Sequence, residues 1–376
     1  MKNAQTINRS TTHWRHDPNQ ILADHLGAEF TAYRRAWRKA ELGERPDFPL
    51  HLDVDITTVC NFRCPMCPAG QPQSAFPGLG LKLSEETYLK ALREGENRLP
   101  SIRIGVTGEP LLNPNVARWI QEAKRFGVLD VALITNGLLL SGAMSEALIK
   151  SGLTRLMISV DAASQATYRK TRPGGDWGKL LANIGEFLAI RQSLDTPLPL
   201  LRLSFVEMAL NIHDREKFRL NFGSLADYLT FQNYQNILGQ ERSNWGLTTP
   251  KSGHCAEPLT RLALHANGGL FPCCSDFGRL APLGHFPENS LSEIWNSPLA
   301  LALARDQSWS ANCQSCQKAA DPDAYKEQAR QDLTPTDLRP KDPLKLAEPL
   351  VPQGLIVPTT TQIPGSAPSA SIPEGR

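Results

Sequence analysis

The sequence predicts an α/β fold built on a parallel sheet, followed by a small cysteine-bearing module. Two observations carry that prediction. From residue 50 to about 240, short β-rich runs alternate with helical patterns, and repeated strand–helix units give parallel sheets, either doubly wound or closed into a full or partial barrel. The eight cysteines fall into two groups, Cys60, Cys64 and Cys67 early and Cys255, Cys273, Cys274, Cys313 and Cys316 late, which implies two separate sites. The 376 residues suffice for about two domains, and 41% hydrophobic with 21% charged residues excludes a collagen, a coiled coil or wholesale disorder. Forty basic against 38 acidic residues leave a formal charge of +2, too weak and too scattered for a nucleic-acid surface. No run approaches a membrane span, and the polar N-terminus has no signal-peptide core. A cytoplasmic protein is expected, with thiols reduced rather than paired in disulfides.

In chain order, residues 1 to 20 read as polar and loose. Residues 21 to 43 read as a helix with Leu22, Leu26, Phe30, Tyr33 and Trp37 on one face, and residues 1–49 together as an N-terminal extension. On that helix, Arg34, Arg35, Arg38 and Lys39 are expected to form a solvated face. Strands are expected at 50–57, 101–106, 128–134, 155–160, 200–206 and 228–231. Helices are expected from the N-cap Ser84 and near 114–126, 142–151, 164–193 and 213–220. The strand–helix unit spans 50–240. A second module occupies 250–325, with a hairpin turning at Asn267, Gly268 and Gly269. Nine prolines in the 44 residues from 333 to 376 predict an extended or disordered tail.

The run CNFRCPMC places Cys60, Cys64 and Cys67 in the loop after the first strand of the unit. Three thiolates on one short loop can hold three irons of a [4Fe-4S] cube and leave the fourth open. Structural zinc, the alternative, requires four ligands, and none lies nearby in the sequence. TGEP at 107–110, TNG at 135–137 and SVDA at 159–162 follow, each at the C-terminal end of an expected strand, the rim where barrels assemble active sites.

These four motifs in this order resemble the radical S-adenosylmethionine (SAM) superfamily, and the resemblance implies a partial (β/α)6 TIM-type barrel. It assigns Cys60, Cys64 and Cys67 to a cluster whose open iron takes the amino and carboxylate groups of SAM. It implies that Gly108 and Glu109 receive the methionyl amine, and that Asn136, Ser159 and Asp161 contact the ribose and methionine portions. A basic residue after the fourth strand is implied for the SAM carboxylate, and both Arg169 and Arg172 qualify. Thr107 stands where many relatives have glycine, and Met66 where an aromatic residue often flanks the adenine. The implied chemistry is reductive cleavage of SAM to methionine and a 5′-deoxyadenosyl radical, which abstracts a substrate hydrogen atom.

Cys255, Cys273, Cys313 and Cys316 form a four-thiolate set that alone would suit zinc. With NGGLFPCCSD, the run to IWNS and CQSC, the segment resembles the SPASM and twitch extensions of radical SAM enzymes. That implies a second, auxiliary [4Fe-4S] cluster with no open iron. Cys274 reads either as a small packed residue, with Cys273 and Cys274 interchangeable as ligand, or as a thiol hydrogen-atom donor. The favoured function is oxidation of a sugar- or aminocyclitol-like small molecule, with flavodoxin or ferredoxin as external electron donor and no nucleic-acid or membrane partner. Maturation of a ribosomal peptide is the alternative, and a non-catalytic metal-binding scaffold the alternative of another class.

Overall fold

A computed structural model of the chain describes residues 10–14, 16–70, 78–234, 255–275 and 282–305. Its strands are β1 (Ser10–Trp14), β2 (His51–Val54), β3 (Ser101–Ile104), β4 (Asp130–Thr135), β5 (Arg155–Ser159), β6 (Leu200–Glu207), β7 (Tyr228–Asn233), β8 (Arg261–Leu264), β9 (Gly269–Phe271) and β10 (Gly284–His285). They join in one sheet of order β1-β7-β6-β5-β4-β3-β2-β8-β9-β10. Strands β2 to β7 are parallel neighbours in chain order, with at least one helix in every crossover. This is the expected partial (β/α)6 barrel, and among the described residues the sheet does not close.

Side chains alternate across each strand. Leu52, Val54, Ile102, Ile104, Val131, Leu133, Leu156, Ile158, Leu201, Leu203, Leu229 and Phe231 form one buried apolar set under the helices. The alternate positions, Arg103, Ala132, Arg155, Met157, Arg202, Ser204 and Thr230, line an internal cavity of about 550 Å³. A barrel lumen this polar must satisfy its own charges, and that requirement governs the site described below.

Several elements differ from expectation. Residues 10 to 14, expected to be loose, form β1 and pair antiparallel with β7, because the exposed edge of β7 supplies a ladder that local sequence cannot reveal. The helix expected over 164–193 is two, Gln165–Thr171 and Trp177–Ser193. Pro173 forces Arg172 out of helical geometry, and Gly174 follows at φ +96°.

The N-terminal helix, Pro18–Glu41, lies across the barrel mouth opposite the cysteine loop. Asn19 accepts from Arg155 at 3.1 Å, Trp37 meets His51 edge-on at 6.0 Å, and Arg34 lines the lumen. Arg34 is therefore not part of a solvated face; its guanidinium rests 5.1 Å from the Trp37 ring and its charge reaches Asp130.

The C-terminal module continues the barrel sheet, since β8 pairs in parallel with β2. The expected hairpin joins β8 to β9, with Gly268 at φ +86° and Asn267 Oδ1 accepting from the Gly269 N–H at 3.0 Å. The expected tail at 333–376 lies outside the described residues.

Candidate active site

The cysteine loop folds on itself just beyond β2. The Cys67 N–H donates to the Cys64 carbonyl at 3.1 Å and the Gly70 N–H to the Cys67 carbonyl at 3.0 Å. A Cβ at Gly70 would sit 2.2 Å from the Cys64 carbonyl oxygen, so only glycine permits this tight return. Cys60, Cys64 and Cys67 line one cavity of about 180 Å³, together with Gly108, Glu109, Asn136, Ser159 and Arg172. Eight residues singled out from sequence thus meet in one place, contributed by four strand ends and the turn at 172.

Burial pushes all three thiols up, Cys67 to about 12, so without a metal the trio stays protonated. Arg172 brings its Nη1 to 3.7 Å from Cys64 Sγ, and Arg63 donates to the Cys60 carbonyl at 2.8 Å. A donor set of three thiols at one cavity, Cys64 buried and Cys60 and Cys67 half-buried, fits an iron cluster, which deprotonates coordinating thiols outright. Met66, also at this cavity, is itself buried.

Glu109 is fully enclosed and organises the rim. Its carboxylate accepts from Thr135 Oγ1 at 2.7 Å, the Leu111 N–H at 3.0 Å and the Asn136 N–H at 2.7 Å. Burial still pushes its pKa up, these donors opposing the shift. Gly108 serves close approach: a Cβ there would lie 2.3 Å from the Thr57 carbonyl oxygen and 2.6 Å from that of Val59. Asn136 donates its Nδ2–H to Asn61 Oδ1 at 2.8 Å, tying the third strand end to the cysteine loop. Thr107 makes one bond that glycine would lack, its hydroxyl donating to Asp55 at 2.7 Å beside the backbone N–H that donates at 2.6 Å.

Asp161 does not line the cavity. It is completely buried at φ +57°, with Oδ1 accepting from the Val206 N–H at 2.7 Å and Oδ2 ion-paired with Arg172. Its visible task is to hold that guanidinium toward Cys64. Arg169 points away into solvent, which separates the two arginines left open by sequence. Sequence reasoning missed Asp55, Thr135 and Asn61. The polar alternation His51, Asp53, Asp55 was the available signal for the first of them.

Cys274 lines the 550 Å³ lumen, whereas Cys273 does not. The Cys274 sulfur lies with carboxylate oxygens of Asp53 and Glu257, all within 4.8 Å of one another. Arg103 and Arg261 already engage those carboxylates, at 2.6 Å and 2.9 Å, so the group is an ion-pair network rather than a metal centre. Cys255 precedes the short helix Glu257–Thr260 and Cys273 follows β9; Cys313 and Cys316 lie outside the described residues.

A six-stranded partial barrel whose strand ends converge on a three-cysteine loop defines an iron–sulfur enzyme scaffold. Residues 54–196 match the model of the Radical SAM superfamily, and residues 255–317 match that of the SPASM iron–sulfur cluster-binding domain. The chain carries a radical SAM domain followed by a SPASM domain, and these domains imply [4Fe-4S] clusters and SAM as its cofactors. Among curated relatives, the GTP 3′,8-cyclase of Alkaliphilus oremlandii is 32% identical over 148 residues, 37% of this chain and 43% of that protein. The probable GTP 3′,8-cyclase of Methanocaldococcus jannaschii is 28% identical over 189 residues, 48% of this chain and 58% of that protein. The chain thus spans about half the length of these relatives. In fold it is similar to SuiB of Streptococcus suis, solved bound to the precursor peptide SuiA, with TM-score 0.54 and 14% identity over 79% of this chain and 74% of that one. Among the described residues no helix is long and apolar enough to cross a membrane.

Proposed function

We propose that this chain generates a radical on a small polar molecule held in the barrel lumen. One observation carries the reading: the 180 Å³ cavity of the three cysteines and the 550 Å³ lumen share Met66, Cys67, Val106, Ile134, Ser159 and Val206 as lining. A reactive species formed at the first is therefore delivered directly into the second. Cys60, Cys64 and Cys67 hold the cluster. Glu109 receives the methionyl ammonium, Asn136 and Ser159 border the ribose and methionine, and Arg172, positioned by Asp161, faces the SAM carboxylate. When bound, cluster and SAM together supply a 5′-deoxyadenosyl radical after one-electron reduction by a donor such as flavodoxin or ferredoxin. The chain's own part is to orient SAM by these charges and to exclude water at the rim.

Net two-electron oxidation of a sugar- or aminocyclitol-like molecule is the favoured outcome. Cys255, Cys273, Cys313 and Cys316 would hold the auxiliary cluster that accepts the second electron. The lumen position of Cys274 supports Cys273 as the ligand of the adjacent pair and Cys274 as a thiol that can meet substrate. Radical cyclisation of a purine nucleotide is the second reading, favoured by the likeness to GTP 3′,8-cyclases and by the arginine-rich lumen.

The test is anaerobic. Reconstituted protein given dithionite and SAM should release 5′-deoxyadenosine and methionine, and C60A should release none. Wild-type protein with a full cluster that binds SAM without ever cleaving it would favour a non-catalytic scaffold.

A further inference from the structure

Five arginines line the lumen, and three of them pair with carboxylates, while Arg34 rests against the Trp37 ring at 5.1 Å. Arg103 pairs with Asp53 at 2.6 Å, Arg155 with Asp130 at 3.1 Å, and Arg261 with Glu257 at 2.9 Å and Asp53 at 3.5 Å. Arg202, on β6 opposite Met157 and Tyr228, has no ion-pair partner among the described residues, and its Nε is sealed from solvent with no hydrogen bond. Arg202 is half-buried with its Nε sealed, and a cation withdrawn from water in this way is retained at a cost unless something neutralises it. Burial draws the Arg202 guanidinium down to about 10, with Arg103 and Arg155 adding repulsion, yet it remains charged at neutral pH.

We infer that Arg202 is the anchor for an oxyanion, a carboxylate or phosphate group, on the molecule that occupies the lumen. The inference rests on the reading of the lumen as the substrate chamber and supplies the chemical class of its occupant. A guanidinium presents a planar fork of donors matched to such groups. Position agrees with this role. Ser204 and Val206 follow at two and four residues along the same strand face, Ser204 level with Ser159, and Val206 borders the cysteine cavity. At a strand rise of about 3.3 Å per residue, an anion at Arg202 sits roughly 13 Å below the rim. A substrate so anchored would present to the rim an atom within about that distance of its charged group. Tyr228 is a favourable electrostatic neighbour of Arg202, but no carboxylate among the described residues pairs with it.

Thermal unfolding of the anaerobically reconstituted holoprotein tests this, with inorganic phosphate and acetate compared against sodium chloride at equal ionic strength. Phosphate, acetate or both should raise the wild-type midpoint by about 2 °C or more, because a ligand bound only by the folded state stabilises it. R202M should start no lower than wild type and show no such rise, and R202K should keep part of it. A larger effect of phosphate assigns a tetrahedral group, and a larger effect of acetate a carboxylate. Equal rises in wild type and R202M, no rise in wild type, or an R202M that fails to fold would each overturn the proposal. Failure of the underlying reading registers separately, as wild-type protein that releases no 5′-deoxyadenosine.

Discussion

Glu109 has two jobs that a single substitution confounds. Its oxygens satisfy three buried donors, from Thr135, Leu111 and Asn136, and its charge is proposed to receive the methionyl ammonium. E109A strands those donors, each costing about 1 to 3 kcal/mol, so urea unfolding should show a loss of roughly 3 to 5 kcal/mol without any statement about SAM. E109Q keeps an acceptor and removes the charge. Its stability should stay within about 1.5 kcal/mol of wild type, while calorimetry should find SAM bound at least about tenfold more weakly. An E109Q protein that binds SAM normally would remove Glu109 from the proposed contact. Asp130 tests the lumen by pH. Its Oδ1 accepts from Thr154 at 2.6 Å and both its oxygens from Arg155 at 3.1 Å, and these partners hold its carboxyl below the ordinary value of 3.8 despite burial. A depressed folded-state pKa gives stability that is present above the unfolded value and lost as pH falls below about 4. Wild type should therefore lose denaturant resistance between pH 5 and pH 3 more steeply than D130N, which starts lower because Arg155 is left unpaired. Parallel pH profiles would contradict that pairing.

Among the elements, the strands of the parallel unit were legible, whereas β1 and the partners of β1 and β8 were not. Period-two polarity in LHLDVDIT, SIRIGV and LLRLSFV follows from an apolar face under helices and a polar face in the lumen, so local sequence carries it. The pairing of Ser10–Trp14 with β7 and of β8 with β2 depends on edges made by distant residues, and no local pattern encodes it. The break at Pro173 and Gly174 was written in the sequence yet read through. Its consequence is functional, because the Arg63 N–H donates to the Pro173 carbonyl at 3.1 Å and sets Arg172 beside the cysteine loop. The C-terminal module was read as a second unit, but it is stapled to the barrel. The Glu94 carboxylate accepts from the Leu291 and Ser292 N–H groups at 2.9 Å each, capping the helix Leu291–Trp295. Trp295, 1% exposed, donates its Nε1–H to the Pro46 carbonyl at 2.8 Å under the Arg45 guanidinium. W295A should cost about 3 to 5 kcal/mol and unfold module and barrel in one transition. Two transitions, with the barrel signal unchanged, would show that the module folds by itself.

At the scale of the whole molecule, one cluster site is assembled within the described residues and the other only in part. The first has all three thiols at one cavity with the rim residues around them. For the second, Cys255 and Cys273 are described while Cys313 and Cys316 are not. Iron content measures both at once: two cubes require about eight irons and eight sulfides per chain. The triple variant C60A/C64A/C67A should keep about half, all of it in the auxiliary cluster, and C313A/C316A should keep the other half. Stoichiometric zinc with only about four irons would assign the late cysteines to a zinc site. The two variants should also divide the chemistry. Without the first cluster there is no SAM cleavage. Without the second, 5′-deoxyadenosine should still form and substrate hydrogen should still be abstracted, because the proposed sites of these events, the cavity at Cys60, Cys64 and Cys67 and the lumen it adjoins, do not need the late cluster. The resulting substrate radical would then have no oxidant and would be quenched by solvent or thiol. Oxidised product should therefore fall much further than 5′-deoxyadenosine, and deuterium from the buffer should appear in recovered substrate. If instead wild-type protein itself places solvent deuterium in product without net oxidation, and C274A abolishes that, the thiol in the lumen is the hydrogen donor and the oxidation reading fails.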